Sequence, residues 1–110
     1  MSYWLFLEDV RELGTYPCKY SFLDHKNVKI ARSSKEAIEI VREFGLPDFM
    51  ALDHDLGGTD TTMVFLYTLS DFFLFSEVEP PHFAVHSANP IGSLNIQAFM
   101  KSWRDVYNPE

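Results

Sequence analysis

An α/β fold built on a parallel sheet is predicted by three observations. Short apolar runs alternate with helical stretches along the chain. Each run is continuous, as in strands buried on both faces. Three of the runs stop abruptly on acidic, imidazole or hydroxyl residues: Tyr3 to Leu7 before Glu8-Asp9, Phe49 to Leu52 before Asp53-His54-Asp55, and His82 to Val85 before His86-Ser87-Ala88-Asn89. In an open α/β sheet the carboxyl ends of the strands line one crevice, which is where such sheets bind ligands.

The elements follow in order. Tyr3 to Leu7 is the first strand. Residues 10 to 27 mix Gly14, Pro17, Asp24 and Asn27 with scattered aromatics and hold no helical period, so mostly irregular structure is expected there. Val28 to Ala31 is a second strand. Ser33 with Glu36 three residues on forms a capping box, and Ala37, Ile38, Val41 and Phe44 mark one face of a helix that Gly45 and Pro47 end. Phe49 to Leu52 is the third strand, after which Gly57 and Gly58 let the chain turn. Thr59 or Asp60 is expected to cap a helix over about 61 to 76, apolar almost all round and therefore covered on more than one side. Pro80-Pro81 stops it and His82 to Val85 is the fourth strand. Asn89 as N-cap with Pro90 at the first helical position starts a last helix reaching about Tyr107, striped by Ile91, Leu94, Ala98, Phe99, Trp103 and Val106. Strands alternating with helices imply right-handed crossovers. A truncated flavodoxin-like, three-layer arrangement of about four parallel strands in the order 2-1-3-4 is expected.

Composition narrows the function. The 110 residues suit a single domain, 1–110, and 46% hydrophobic content fills a core, which argues against disorder. Nine Lys and Arg against 16 Asp and Glu, with no basic cluster, make polymeric nucleic acid a poor partner. A small phosphorylated ligand held through a metal remains open, because the ion reverses the local sign. Cys18 is the only cysteine, so neither an intrachain disulfide nor a Cys-based metal site is available. There is no 18-residue apolar span and no signal-like start, so no membrane association and a cytoplasmic location are expected.

The strand ends define the chemistry. Glu8, Asp9, Asp53 and Asp55 would crowd negative charge into one crevice, a situation that a divalent cation relieves, and oxygen donors favour Mg or Mn. His54 and His86 are candidate acid–base groups. A regular strand would send His54 and Asp53 to opposite faces, which favours His86. Ser87, Asn89 and the N–H groups of Ile91 and Gly92 at the start of the last helix would receive a phosphate. Arg11 is the nearest cation in sequence and a candidate phosphate clamp. His25 and His82 lie outside these motifs. The His-Asp pair ends a strand, which excludes the helical metal-dependent phosphohydrolases that share the dipeptide.

The segments Leu-Glu-Asp-Val-Arg, Leu-Asp-His-Asp-Leu-Gly and Val-His-Ser-Ala-Asn-Pro resemble the cyclic-phosphate-processing branch of the receiver superfamily, found in bacteria and phages. The resemblance covers nearly the whole chain. It implies a receiver-like fold and a metal-dependent domain that binds or hydrolyses a cyclic phosphate of a nucleotide or nucleotide-derived molecule, in a bacterial or phage-infected cell. In that mechanism Mg or Mn on Asp9 and Asp53, assisted by Glu8 or Asp55, activates water, and His86 protonates the leaving oxygen. Two departures stand out: the first motif reads Glu8-Asp9 where the branch mostly has Asp-Asp, and the fifth strand and lysine of ordinary receivers are absent from these residues. The rival readings are a receiver phosphorylated on Asp53 and a non-catalytic nucleotide- or protein-binding domain. A homodimer through Phe72, Phe73 or Phe75 is also expected, since the helix over about 61 to 76 carries more apolar side chains than one sheet face can bury. The last helix is expected to swing Phe99 and Trp103 toward the opposite face.

Overall fold

The structure, a computed structural model, describes residues 3–8 and 27–108. Four parallel strands, β1 (Trp4–Leu7), β2 (Val28–Ala31), β3 (Phe49–Leu52) and β4 (His82–Val85), form one sheet in the order β2-β1-β3-β4. Three helices follow their strands: α1 (Ser34–Phe44), α2 (Thr62–Phe72) and α3 (Pro90–Tyr107). The predicted strand order and the strand and helix types are those observed. The expectation for residues 10 to 26 lies outside the described residues, as do Asp9, Arg11, Cys18 and His25.

Local chemistry explains the helix ends. At α1, Ser33 Oγ accepts from Glu36 N–H at 3.1 Å, while the Glu36 carboxylate reaches one residue further back than a capping box requires, to Arg32 N–H at 2.6 Å. Asp60 does not cap α2; its carboxylate accepts from the N–H and the hydroxyl of Ser34 at 2.8 and 2.6 Å and so tethers the start of α1. The N-cap of α2 is Thr61, which makes no side-chain cap hydrogen bond. α2 is also shorter than predicted: Phe73 is already extended, at φ −127° and ψ 142°. The apolar residues beyond it belong to the connection to β4.

The sheet alternates as its pleat demands. Leu5, Leu7, Met50 and Leu52 face a cluster that includes Val41, Phe65, Leu66, Leu69, Ile96 and Trp103, so all three helices pack on one face. A Leu-to-Ala change there would cost about 2 to 5 kcal/mol. Phe6 and Ala51 form a second, smaller cluster on the opposite face with Trp4, Val28 and Phe49. α3 therefore does not swing across. Trp103 is fully buried in the larger cluster, donates from Nε1 to Val78 O at 2.8 Å, and stacks on Phe75 with centroids 3.9 Å apart. Those contacts tie the α2–β4 connection to α3. Among the described residues no helix is long and apolar enough to cross a membrane.

Candidate functional site

Register builds the site. Leu7 pairs with Leu52 and Leu52 with Val85. The ladder continues one residue past each strand: Glu8 N–H donates to Ala31 O at 3.0 Å, Asp53 N–H to Leu7 O at 2.9 Å, and His86 N–H to Leu52 O at 3.0 Å. Glu8, Asp53 and His86 consequently stand in one row at the carboxyl edge of β1, β3 and β4. By the two-residue period their side chains belong to the face of Phe6, Ala51 and Ala84.

The outer members of that row meet. Glu8 Oε2 lies 3.4 Å from His86 Nε2, and their side chains are 1% and 13% exposed. A carboxylate taken out of water costs several kcal/mol unless it is paired, and the imidazole supplies an oppositely charged partner when protonated. Asp53, half-buried, sits on the strand between them. The methylene that distinguishes Glu8 from an aspartate gives the reach that a contact between strands two apart requires.

His54 leaves the row. Its side chain is 12% exposed, and Nδ1 lies 2.9 Å from Asp55 Oδ1, whose carboxylate is 62% exposed. The ring rests on the first turn of α3, where a Cβ built on Gly92 would come within 2.3 Å of His54 Cγ. Asp55 is thus engaged with His54, and its backbone bridges to Thr61. Among the described residues no group of three or more His, Cys, Asp and Glu side chains is arranged to hold a metal ion.

The start of α3 is built as predicted, with one correction. Asn89 caps the helix and Pro90 occupies its first turn. The Gly92 N–H is not available to a ligand, because Asn89 Oδ1 accepts from it at 3.0 Å. Ser87 Oγ accepts from Asn89 N–H at 3.1 Å, which orders the loop and leaves the hydroxyl proton to donate.

Two positions hold this arrangement in roles that pattern reasoning did not assign to them. Thr62 donates its hydroxyl to Asp53 O and its N–H to His54 O, the latter at 2.9 Å, so the start of α2 fixes the backbone of the strand end. Gly92 admits the His54 ring. The available signal for Thr62 was a hydroxyl residue opening a helix a few residues after a glycine turn; the His54 contact of Gly92 lacked a local one.

A groove of about 480 Å³ lies between α2 and α3, lined by residues that include Met63, Tyr67, Phe75, Phe99, Trp103 and Val106; no residue of the row borders it. The row, with its polar groups converging from separate strands, is the site the chemistry favours.

Comparison with known proteins agrees with this geometry. A solved structure containing the yeast Spc42 trimeric coiled coil, amino acids 181–211, as a fusion is similar at 15% identity, with a TM-score of 0.57 over 98% of this chain and 82% of that one, a likeness of fold alone. Among curated proteins there is no match. The family model described as the cyclic-phosphate processing receiver domain matches residues 3–102. The parallel 2-1-3-4 sheet, the acidic and histidine-bearing strand ends and this match together show that the chain belongs to the cyclic-phosphate processing receiver domain family.

Proposed function

We propose that the domain binds and hydrolyses a cyclic phosphate of a nucleotide or nucleotide-derived small molecule at the carboxyl edge of the sheet. The observation that carries this reading is the row Glu8, Asp53 and His86, with its buried Glu8–His86 pair, beside the capped start of α3. An acid–base group and a carboxylate converge there with an oriented loop hydroxyl.

The residues fit a hard divalent ion, Mg or Mn, held by few protein ligands. Asp53, at the centre of the row, and Asp9 are the carboxylates that would hold it, with Glu8 enclosed against His86 and Asp55 engaged with His54. When bound, the ion would polarise the phosphoryl group and lower the pKa of water.

The chain's own residues account for the rest. Water adds to phosphorus, one P–O ester bond of the ring breaks, and the released oxygen takes a proton from the His86 imidazole, while the water's proton passes to solvent. Glu8 orients His86 for that transfer; separations such as 3.4 Å commonly tighten when a substrate is present. Ser87, Asn89 and Arg11 would contact the phosphate oxygens. The product is a linear phosphomonoester.

The test is incubation with 2′,3′- and 3′,5′-cyclic nucleotides and Mg, followed by product chromatography. Linear product supports hydrolysis. Intact bound nucleotide would reduce the reading to sequestration, and a base-labile adduct on Asp53 after acetyl phosphate treatment would replace it with a phosphoacceptor receiver.

A further inference from the structure

The two halves of the proposed site lie on different elements, the carboxylate half on β3 and the anion half on the first turn of α3. One contact between them is the His54 imidazole. It follows Asp53 directly and packs so closely on Gly92 that a methyl group there would overlap the ring, at 2.3 Å from Cγ, 2.6 Å from Nδ1 and 2.7 Å from Cδ2. Gly92 is buried, and its N–H is in turn held by Asn89. His54 is anchored on its own side, its carbonyl accepting from Thr62 N–H at 2.9 Å and its Nδ1 meeting Asp55 at 2.9 Å. Any displacement of the ring therefore changes where Ser87, Asn89 and the helix start lie relative to Asp53.

We propose that His54 is a positioning residue, a flat spacer that sets the first turn of α3 against the Asp53 end of β3, and that it transfers no proton to the substrate. The role in ligand binding rests on the cyclic-phosphate reading, whereas the spacer contact itself does not. Shape, not ionisation, is the property used: a flat ring fills the space above a residue without a side chain. A misplacement of about 1 Å can cost around a hundredfold in a positioned reaction, so even a small shift should be measurable.

The experiment is a double-mutant cycle with a shape-preserving control. His54→Ala, His54→Phe, Gly92→Ala and the double variant His54→Ala/Gly92→Ala are compared by two readouts. One is amide exchange at Ser93, whose N–H closes the first turn on Asn89 O at 2.9 Å. The other is affinity for adenosine 2′,3′-cyclic phosphate, with kcat where turnover occurs. His54→Ala should speed exchange in the first turn and weaken affinity, and His54→Phe should restore both. Gly92→Ala should weaken affinity at least about tenfold alone, yet by less than about twofold in the His54→Ala background, where the overlapping ring is gone. His54→Phe as impaired as His54→Ala, with kcat lost in both, would overturn the proposal in favour of a proton-transfer role. An equal cost of Gly92→Ala in both backgrounds would also overturn it. Failure of the wild type to bind the nucleotide would overturn the cyclic-phosphate reading, and the exchange pattern would still decide the role of His54.

Discussion

Replacing His86 with alanine should cost stability as well as chemistry, and most of that cost should disappear when Glu8 is made neutral. The Glu8 side chain is 1% exposed and its carboxylate lies 3.4 Å from the imidazole. Breaking a fully buried ion pair from one side costs about 3 to 5 kcal/mol. A separation of 3.4 Å is longer than an optimal N–H···O hydrogen bond, so a coupling of about 2 kcal/mol is the appropriate expectation. For a domain of 110 residues, 1 kcal/mol corresponds to about 4 °C in Tm. His86→Ala should therefore unfold about 8 °C below the wild type. Glu8→Gln/His86→Ala should recover most of this, because the amide keeps the shape of Glu8 without burying a charge. Thermal unfolding followed by circular dichroism at pH 7 measures all four corners of the cycle. Additivity within about 0.5 kcal/mol would refute the reasoning and return Glu8 to the list of direct metal ligands.

The remaining predictions concern metal, alkali and assembly. Asp53→Asn should lower Mg or Mn affinity at least about tenfold by removing one of very few carboxylate ligands; calorimetric titration showing equal affinity would contradict this. Burial pushes the Tyr3 hydroxyl up from 10.0 to about 12, and the hydroxyl donates to Gly45 O at 2.5 Å. A folded-state pKa above the unfolded one gives stability that is intact below pH 10 and lost as pH rises toward 12. Tyr3→Phe should flatten the fall in denaturant midpoint across that window, and an unchanged slope would count against it. Phe72 and Leu74 are 37% and 67% exposed, whereas Phe73 and Phe75 pack on the core, so a homodimer would use Phe72 and Leu74. Light scattering should give twice the 12.7 kDa monomer mass, and the monomer alone at micromolar concentration would exclude the dimer.

The fold was legible wherever local chemistry decided it. Continuous apolar runs, the Ser33 cap, Gly45, and Asn89-Pro90 each act over a few residues, and the elements they mark are the ones observed. The end of α2 was not legible, because Phe73, Leu74 and Phe75 continue an apolar pattern while their backbone is drawn off the helix by packing against α3. The site divides in the same way. The strand ends announced Glu8, Asp53 and His86, and the shared offset of one residue past each apolar run implied the row once the register was known. The Glu8–His86 contact spans two strands and has no local signature. The His54–Gly92 contact is likewise nonlocal, joining residues 38 positions apart through a missing side chain that reads in sequence as an ordinary helix glycine.

The central claim is that the carboxyl edge opens a cyclic phosphate with His86 as proton donor and Asp53 as the carboxylate at its centre. It is tested most directly by phosphorus NMR of adenosine 2′,3′-cyclic phosphate incubated with Mg and the wild type, His86→Ala or Asp53→Asn. The account predicts that the cyclic resonance converts to a linear monoester with the wild type, and at least about 100-fold more slowly with either variant. Conversion by both variants at the wild-type rate would contradict it.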